Sequence, residues 1–539
     1  MVGVAGKSQA CNTCKQRRVK CDFGRPSCLR CIKAKRTCAG YGHERIFVNR
    51  TPSNPLTSAE SVLSGCRARQ SSHQVAVDPT TVTTLHQLYL DSRRDDCYPF
   101  REHAAELLKQ LYLPKQSLFT ALQTDTNDGS FSWVYHLSDL TLPSSSLDAS
   151  LFAFCLAQLH VTGRGDISLY QCLEQYTSAL QQLHVDLDSS DARVREETLA
   201  AIVTLSTCEL FVCPAEHGWS AHVHGIAEIL RLRGTETRVT PAWRHLFSRM
   251  KIICTLEALT KRHSLRENNI WQQVVSEDSL TGDLDQILQL AARMSPVLER
   301  ATMLPSIDNP ATLLKESEAI ICILLSILNS MELWHDGFRK QSSTSRAWAV
   351  PSYATNPTDQ LYLDRVFPSR FEFESLSAAV SMTMCWSISA QLYSYVLQIN
   401  DLLRRRLDQC IDLEHLLAHT DITVPGIMGT SKYQSLGSLS RAAHRDHLVQ
   451  NLQEEGTRMS RHVCESLEYF QRPEMGTYGS HAVTYPRWSA TQYFRLHPGH
   501  EREQAWLQNM HKMEGHGTRW GFSTMTFTDI KCPLGGWPK

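Results

Sequence analysis

The sequence lacks any run of the roughly 18 apolar residues that a membrane-spanning helix requires. Its longest apolar stretches, 199–213 and 319–328, are interrupted by Thr, Ser or Glu and therefore predict buried helices. The first ten residues contain no apolar segment of the signal-peptide type, so we expect no secretion. With 42% hydrophobic residues, the chain is too apolar for wholesale disorder. The sequence therefore predicts a folded intracellular protein without a membrane anchor.

Common catalytic signatures are absent as well. The chain has no His-Glu-x-x-His metalloprotease motif, no phosphate-binding Gly-x4-Gly-Lys-Ser/Thr loop and no Gly-x-Ser-x-Gly elbow. A catalytic pair from distant parts of the chain would leave no such signature. On these absences we predict that the protein is not an enzyme.

Charge is divided unevenly, although 55 basic residues balance 55 acidic ones. Residues 1–50 contain twelve Lys and Arg but only two acidic residues, and the rest of the chain carries the compensating acidic excess. A compact basic N-terminal segment, which we call the head, precedes a mildly acidic remainder. This division predicts a module that binds a polyanion, joined to a second part with another role.

Cysteine is concentrated in the same head. Six of the 18 cysteines fall between positions 11 and 38, in the spacing C-x2-C-x6-C-x6-C-x2-C-x6-C. The segment is an internal duplication, because the pattern of its first three cysteines recurs 17 residues later. The six are Cys11, Cys14, Cys21, Cys28, Cys31 and Cys38.

The number of sulfurs predicts a centre with two metal ions. Zinc takes four ligands in a tetrahedron, and each half of the duplication supplies only three thiolates. Six sulfurs fill all the coordination positions of two metal ions if two of the sulfurs each bind both ions. Zinc is favoured because soft thiolates select it and it carries out no redox chemistry.

Three other interpretations compete with a zinc centre that binds a polyanion. A disulfide knot needs an oxidising compartment, which the N-terminus does not indicate. A metal store would not need the basic residues between the cysteines. A purely structural zinc site that binds no nucleic acid stays open, although the excess of positive charge argues against it.

The six cysteines and all their gaps closely resemble the fungal Zn₂Cys₆ binuclear-cluster transcription factors. The resemblance implies that Cys11 and Cys28 bridge both zinc ions. It further implies that Cys14 and Cys21 complete one site. Cys31 and Cys38 would complete the other.

Basic residues within the first repeat are the expected DNA contacts. The family pattern here is Arg, any, Arg, Lys, any, Lys, and this chain departs from it modestly at Lys15 and Arg18. By resemblance, a short first helix enters the major groove of double-stranded DNA and Arg18 reads a G-rich triplet, typically CGG. An arginine there can bond guanine O6 and N7 together. Lys15, Arg17 and Lys20 are expected to contact phosphates, which fix register without specifying sequence.

The second repeat predicts a further phosphate-facing surface. Its basic residues are Arg30, Lys33, Lys35 and Arg36. The string from 33 to 36 can also serve as a nuclear import signal.

The remainder predicts a large helical body. We assign residues 1–50 to the DNA-binding module, 51–80 to a flexible linker, and 81–539 to an all-α domain. Amphipathic or buried helices are predicted at 101–113, 167–184, 191–213, 220–232, 241–259, 311–333 and 372–406. Long loops are predicted at 337–360 and 425–439.

Part of the body resembles the fungal-specific transcription factor regulatory domain, best over residues 150–260. The similar residues are Glu209, the runs His217-Gly218-Trp219 and His222-Val223-His224-Gly225, and the segment 230–234. We interpret Glu209 as a buried acid paired with a basic side chain. The Trp-x-x-His-x-x-Gly run is interpreted as packed helix rather than a metal site.

Together these features predict a nuclear, sequence-specific regulator of RNA polymerase II transcription that requires two Zn²⁺ ions. By resemblance, such proteins often control neighbouring genes of secondary metabolism and contact the transcription machinery. No long leucine heptad follows the cluster, so a homodimer is left open. The rival hypotheses are an enzyme or ligand receptor tethered to DNA by the zinc module, and a co-regulator that acts through protein contacts.

Overall fold

The computed structural model describes residues 13–14, 17, 19–22, 28–34, 36, 79–93, 97–115, 131–212, 216–233, 240–262, 282–340, 345–407, 442–510 and 513. The chain divides into two compact units, Met1–Arg67 and Ala68–Lys539. This division falls inside the predicted linker, and the bounds of the three predicted segments stay predictions. In the first unit, helix α1 spans Leu29–Lys33.

The second unit is largely helical. Its helices in the first half are α2 Pro79–Ser92, α3 Tyr98–Leu111, α4 Ser145–Val161, α5 Leu169–Asp188, α6 Glu196–Val212, α7 Glu216–Arg233 and α8 Pro241–Lys261. Those in the second half are α9 Asp283–Ala292, α10 Ser295–Met303, α11 Pro310–Lys340, α12 Leu376–Leu407, α13 Ala442–Phe470, α14 Tyr478–Ala482, α15 Thr484–Leu496 and α16 Glu501–Gln508. Short 3₁₀ turns include Ser132–Asp139 and Pro357–Leu361.

Local sequence explains where several of these helices begin. Ser168 and Gln171 form a capping box at the start of α5, in which each side chain bonds the other residue's backbone N–H. Thr240 caps α8 and is followed by Pro241 at the first helical position, where a missing N–H costs nothing. Such signals are local, so sequence predicts them well.

Helix α12 lies at the centre of the body. It packs against α9, α11, α13 and α15. Its apolar stripe is buried as predicted, but the opposite face is buried too, with small polar residues such as Ser387 and Ser389. Ser387 donates to its own helix at Thr383 O (2.6 Å), and Ser489 of α15 donates to Ser387 O (2.7 Å). The small side chains of Ser387 and Ser489 thus let α15 approach α12 closely while both hydroxyls stay hydrogen-bonded.

The prediction that a helix begins at Glu372 is wrong. Strand β1, Ala347–Pro351, pairs antiparallel with strand β2, Ser369–Phe373, so Glu372 lies in a strand and the body is not purely α. Phe371 and Phe373 pack on Trp386, with ring centroids 5.0 and 6.1 Å away. The Ser375 hydroxyl then accepts the N–H of Ala378 (3.1 Å), and this N-cap starts α12 after the strand.

The predicted loop at 337–360 is also corrected. Helix α11 continues to Lys340 because Phe338 is buried and stacks on Trp334, with centroids 4.8 Å apart. Strand β1 and the start of the 3₁₀ turn Pro357–Leu361 lie in the remainder. The other predicted loop, 425–439, lies outside the described residues.

Glu209 is buried in α6, beside His222 of α7. Glu209 Oε2 lies 3.3 Å from His222 Nε2, which also lies 3.1 Å from the Tyr176 hydroxyl of α5. This contact agrees with the interpretation of Glu209 as a buried acid beside a basic side chain. None of the described helices is both long and apolar enough to span a bilayer.

Candidate metal centre and nucleic-acid interface

The duplication in the sequence is also a duplication in the backbone. In the first repeat, Arg17 N donates to Thr13 O (3.2 Å) and Val19 N donates to Cys14 O (3.1 Å). Seventeen residues later the same two bonds recur, from Ala34 N to Arg30 O (3.2 Å) and from Arg36 N to Cys31 O (3.0 Å). Each half therefore makes a helical turn that ends in a wider, five-residue turn. After it, Val19 packs on the sulfurs, whereas Arg17, Lys20 and Arg36 are exposed.

Four of the six predicted metal ligands lie among the described residues and turn inward together. Cys14, Cys28 and Cys31 are fully buried, and Cys21 is 4% exposed. The Sγ atoms of Cys14 and Cys28 are 3.7 Å apart, and those of Cys14 and Cys31 are 3.9 Å apart. Cys11 and Cys38 lie outside the described residues.

These sulfur distances fit zinc and do not fit disulfides. A disulfide needs an S–S distance of about 2.05 Å, far shorter than the separations between Cys14 Sγ and the sulfurs of Cys28 and Cys31. Two thiolates on one tetrahedral zinc ion, each about 2.3 Å from it, lie about 3.8 Å apart. Buried sulfurs at this spacing can hold a metal ion, and zinc would crosslink the two halves as a structural ligand without supplying a reactive centre.

Cys28 belongs to both close groups of ligand atoms in this region. One group is Cys14, Cys28 and Cys31, and the other is Cys21, Asp22 and Cys28. The resemblance, by contrast, assigns Cys14 and Cys31 to different zinc ions. With two ligands undescribed, the division of the sulfurs between the two ions stays a prediction.

Asp22 has a role that reasoning from sequence missed. Its carboxylate accepts the backbone N–H of Leu29 at Oδ2 (2.8 Å) and of Arg30 at Oδ1 (2.9 Å). At the same helix end, Cys28 Sγ accepts the N–H of Cys31 (3.3 Å). These bonds satisfy three donors at the start of α1. Because its oxygens are occupied by backbone amides, we assign Asp22 to capping and not to metal binding.

The basic residues predicted to contact DNA are exposed wherever they are described. Arg17 and Lys20 are exposed in the first repeat. Arg30, Lys33 and Arg36 are exposed in the second repeat. Lys15, Arg18 and Lys35 lie outside the described residues, so the base-reading role of Arg18 stays a prediction.

Two exposed apolar side chains in the second repeat were also missed. Leu29 is 59% exposed and Ile32 is 56% exposed on α1. In the alignment of the two repeats they correspond to Asn12 and Lys15. The two repeats therefore differ in residue type at these positions, where the second repeat has two apolar residues and the first has a polar and a basic one.

Comparison with known proteins agrees with this chemistry. Residues 9–45 match the fungal Zn(2)-Cys(6) binuclear cluster domain. A relative in Schizosaccharomyces pombe, described as an uncharacterized transcriptional regulatory protein, is 30% identical over 153 residues. The aligned part is 28% of this chain and 24% of that protein, so the chain spans about a quarter of that relative's length. No solved structure matches the chain.

The matched domain settles the cofactor. Domains of this kind bind DNA and hold two zinc ions, and the buried sulfur cluster is consistent with metal binding. The N-terminal module of this chain is therefore a two-zinc module. Its match and the regulatory relative together support a DNA-binding transcription factor. The match ends at residue 45, and the predicted regulatory domain has no family match of its own.

Proposed function

We propose that the protein is a nuclear, sequence-specific DNA-binding regulator of RNA polymerase II transcription. Its two-zinc module reads CGG-like triplets, and its helical body controls the output. The observation that carries the proposal is a duplicated thiolate module whose sulfurs face inward while its described cations face solvent.

Electrostatics supports DNA as the partner of this module. Asp22 is the one acidic residue between Cys11 and Cys38, and its carboxylate faces the backbone amides of α1. The described cations of the module are exposed to solvent, where they can attract phosphates: Arg17, Lys20, Arg30, Lys33 and Arg36. Such contacts provide sequence-independent affinity and make binding fall steeply with salt concentration. Specificity then requires base contacts, and Arg18 has the side chain for a bidentate contact with guanine.

The helical body supplies the regulatory half of the proposal. We assign to it contacts with the transcription machinery and, if the protein works as a homodimer, part of the dimer interface. Control of neighbouring genes for a secondary metabolite is the expected biological setting, taken from the resemblance.

Deletion of residues 1–50 tests the proposal against its rivals. In cells, we expect the full chain to occupy discrete promoters with a CGG-like motif and to change transcription of the adjacent genes. The deleted chain, produced at equal level, should lose both occupancy and output. Genome-wide occupancy mapping and RNA sequencing of the two strains measure this.

Each rival gives a different result in the same comparison. An enzyme tethered to DNA would keep its turnover in the deleted strain, as shown by an unchanged metabolite profile. A co-regulator would keep promoter occupancy without residues 1–50, because other proteins would recruit it. Either outcome would refute the proposed role of the zinc module.

A further inference from the structure

A small cavity lies where the end of α8 meets α12 and α15. Its volume is about 20 Å³, and on the same measure a volume of about 10–15 Å³ holds one water molecule. The cavity therefore has room for one water molecule or one monatomic ion, and it is too small for a metabolite. None of the described residues that line it is acidic, whereas Arg262 lines it from the end of α8. We call it the α8 cavity.

Arg262 reaches this cavity through an unusual backbone conformation. It ends α8 with φ 58° and ψ 43°, and among the described residues it is the one non-glycine with a positive φ. Residues with side chains rarely adopt this left-handed region, and they stay there only when their surroundings hold them. Here the Arg262 Nε donates to the Tyr395 hydroxyl of α12 (2.9 Å), and the guanidinium carbon lies 5.3 Å from the centre of the Tyr395 ring. The turn and these contacts hold the guanidinium against α12.

The Arg262 guanidinium is a buried positive charge without a described counter-charge. The residue is 8% exposed, and within the described part of the chain its side chain bonds only to the uncharged Tyr395. A buried charge is costly unless a group of opposite charge compensates it. Arg101 shows the usual solution, because it is fully buried and its Nε bonds to Asp148 (2.7 Å). The two terminal nitrogens of Arg262 have no acceptor among the described residues, and they belong to a side chain that lines the cavity.

Three further donors belong to the lining of the cavity. Gln492 Oε1 accepts from Arg495 (2.7 Å), which can only donate, so the Gln492 Nε2 needs a different partner. Gln391 Oε1 accepts from the Tyr485 hydroxyl (2.8 Å), which leaves its Nε2 for a second partner. The Tyr395 hydroxyl accepts from the guanidinium, so its own proton can still be donated. Buried donors are almost always bonded, and no described residue accepts from these three.

We propose that the α8 cavity binds a chloride ion. The Arg262 guanidinium would supply the counter-charge, and the side chains of Gln391, Gln492 and Tyr395 would donate to the ion as well. A water molecule accepts only two hydrogen bonds and leaves the positive charge uncompensated, whereas a chloride ion accepts from several donors and neutralises it. The ion would join the end of α8 to α12 and α15 and would stabilise the folded body, because the unfolded chain has no such site. The inference involves only the helical body and is independent of DNA binding.

Chloride binding is tested on the full zinc-loaded chain. Sodium chloride is replaced stepwise by sodium gluconate at constant ionic strength, because gluconate is too large for the cavity. The ³⁵Cl NMR linewidth reports bound chloride, and urea denaturation reports the stability of the folded chain. We expect the linewidth to contain a saturable component. The urea midpoint should rise with chloride concentration above the same dissociation constant.

Variants then locate the site. Arg262→Gln should raise the dissociation constant for chloride at least about tenfold, as expected for the loss of a hydrogen bond to a charged group. Gln391→Glu keeps an acceptor for Tyr485 and places a carboxylate at the cavity, so it should make the urea midpoint independent of chloride. The matched control is Arg249→Gln, at an arginine of α8 that is 5% exposed and lies outside the cavity, and it should retain the chloride affinity. Each variant is compared with itself in the two salts, so a constant loss of stability does not affect the result.

The proposal is overturned if the linewidth contains no saturable component, or if the urea midpoint is the same in both salts. It is also overturned if Arg262→Gln and Arg249→Gln change the chloride affinity equally, since the cavity would then hold only water. Should Arg262→Gln fail to fold, Gln391→Glu decides, and a midpoint that still rises with chloride in that variant refutes the site.

Discussion

The Asp22 carboxylate accepts the backbone N–H of Leu29 at 2.8 Å, and so ties the end of the first repeat to the helix of the second. Asp22→Ala should destabilise the folded two-zinc module by about 1 kcal/mol, the typical cost of a lost N-cap. The measurement is the chelator concentration at which zinc is released, followed by circular dichroism.

DNA affinity provides an independent check on Asp22. Removing an acid from a basic module should tighten binding if charge alone matters. Loss of the cap instead predicts weaker DNA binding, because a less ordered α1 no longer holds its basic side chains in fixed positions. Asp22→Asn removes the charge but keeps an acceptor, so we expect it to retain most of the zinc stability. Equal chelator sensitivity of the alanine variant and the original protein would argue against the capping role.

Among the cluster's described cysteines, Cys28 should be the one whose substitution most reduces zinc binding. Its sulfur belongs to both ligand groups and also accepts the N–H of Cys31. Cys28→Ala should lower zinc content below two ions per chain and unfold the module, because metal binding supplies most of the folding free energy of such small domains. Native mass spectrometry measures the stoichiometry. Cys322→Ala, in α11 of the other unit, is the matched control and should retain both ions. Two bound ions in the Cys28 variant would refute its bridging role.

Arg18 and Lys20 should affect DNA binding in different ways. Arg18→Ala should lose about 1–3 kcal/mol of discrimination between CGG and mutated triplets. Lys20→Ala should weaken all sequences alike and reduce the slope of log affinity against log salt by about one. Fluorescence anisotropy titrations on both duplexes at several salt concentrations distinguish these effects. Unchanged discrimination in the Arg18 variant would remove this residue from base reading.

The zinc cluster could be predicted from the sequence because its constraint is local and chemical. Two cysteines separated by two residues meet at one helix end, and the number of sulfurs limits the number of metal ions. The cap from Asp22 to Leu29 could not be predicted in this way. The carboxylate reaches a helix that begins seven residues later, whereas capping rules consider only the residues beside the helix end.

In the helical body too, features that depend on residues distant in sequence could not be predicted. Periodicity identified the apolar stripe of α12, but the helix begins only at Leu376, after the Ser375 cap. Strand β2 was missed because five residues that contain Arg and Glu give little signal without their partner strand. Burial of both faces of α12 likewise depends on helices distant in sequence, such as α15, whose Ser489 donates to Ser387 O.

His481 of α14 should make the helical body sensitive to acid. Its Nδ1 lies 2.7 Å from the Tyr112 hydroxyl, and its Nε2 lies 2.7 Å from Arg249, which can only donate. The imidazole must therefore be neutral, with the proton on Nδ1. Burial, helped by the positive charge of Arg249, lowers the pKa of His481 well below 6.5. Below pH 6.5 the unfolded chain binds a proton that the folded chain does not, so stability falls as pH falls, by up to about 1.4 kcal/mol per pH unit.

A substitution isolates this contribution. His481→Gln keeps hydrogen-bonding groups but cannot titrate, so its stability should depend less steeply on pH between 6.5 and 5. Urea denaturation at several pH values gives the slope, which is independent of any constant loss of stability. His184→Gln is the control, because this histidine is 79% exposed and should not change the slope. Parallel curves for the His481 variant and the original protein would contradict the assignment.

Substitution by alanine should change the free energy of unfolding in opposite directions at Gly225 and at Gly479. A Cβ at Gly225, in α7, meets no described atom within 4 Å, whereas a Cβ at Gly479 would lie 1.8 Å from Phe470 O. Gly225→Ala should therefore raise the free energy of unfolding by about 0.5–1 kcal/mol through helix propensity. Gly479→Ala should lower it by at least about 1–3 kcal/mol through overpacking. Urea denaturation of the full chain measures both, and destabilisation by Gly225→Ala would show that packing requires this glycine.

If instead the Gly225→Ala variant is more stable but loses transcriptional output, the His222-Val223-His224-Gly225 run contributes to regulation directly, because its effect could not be explained by a damaged fold.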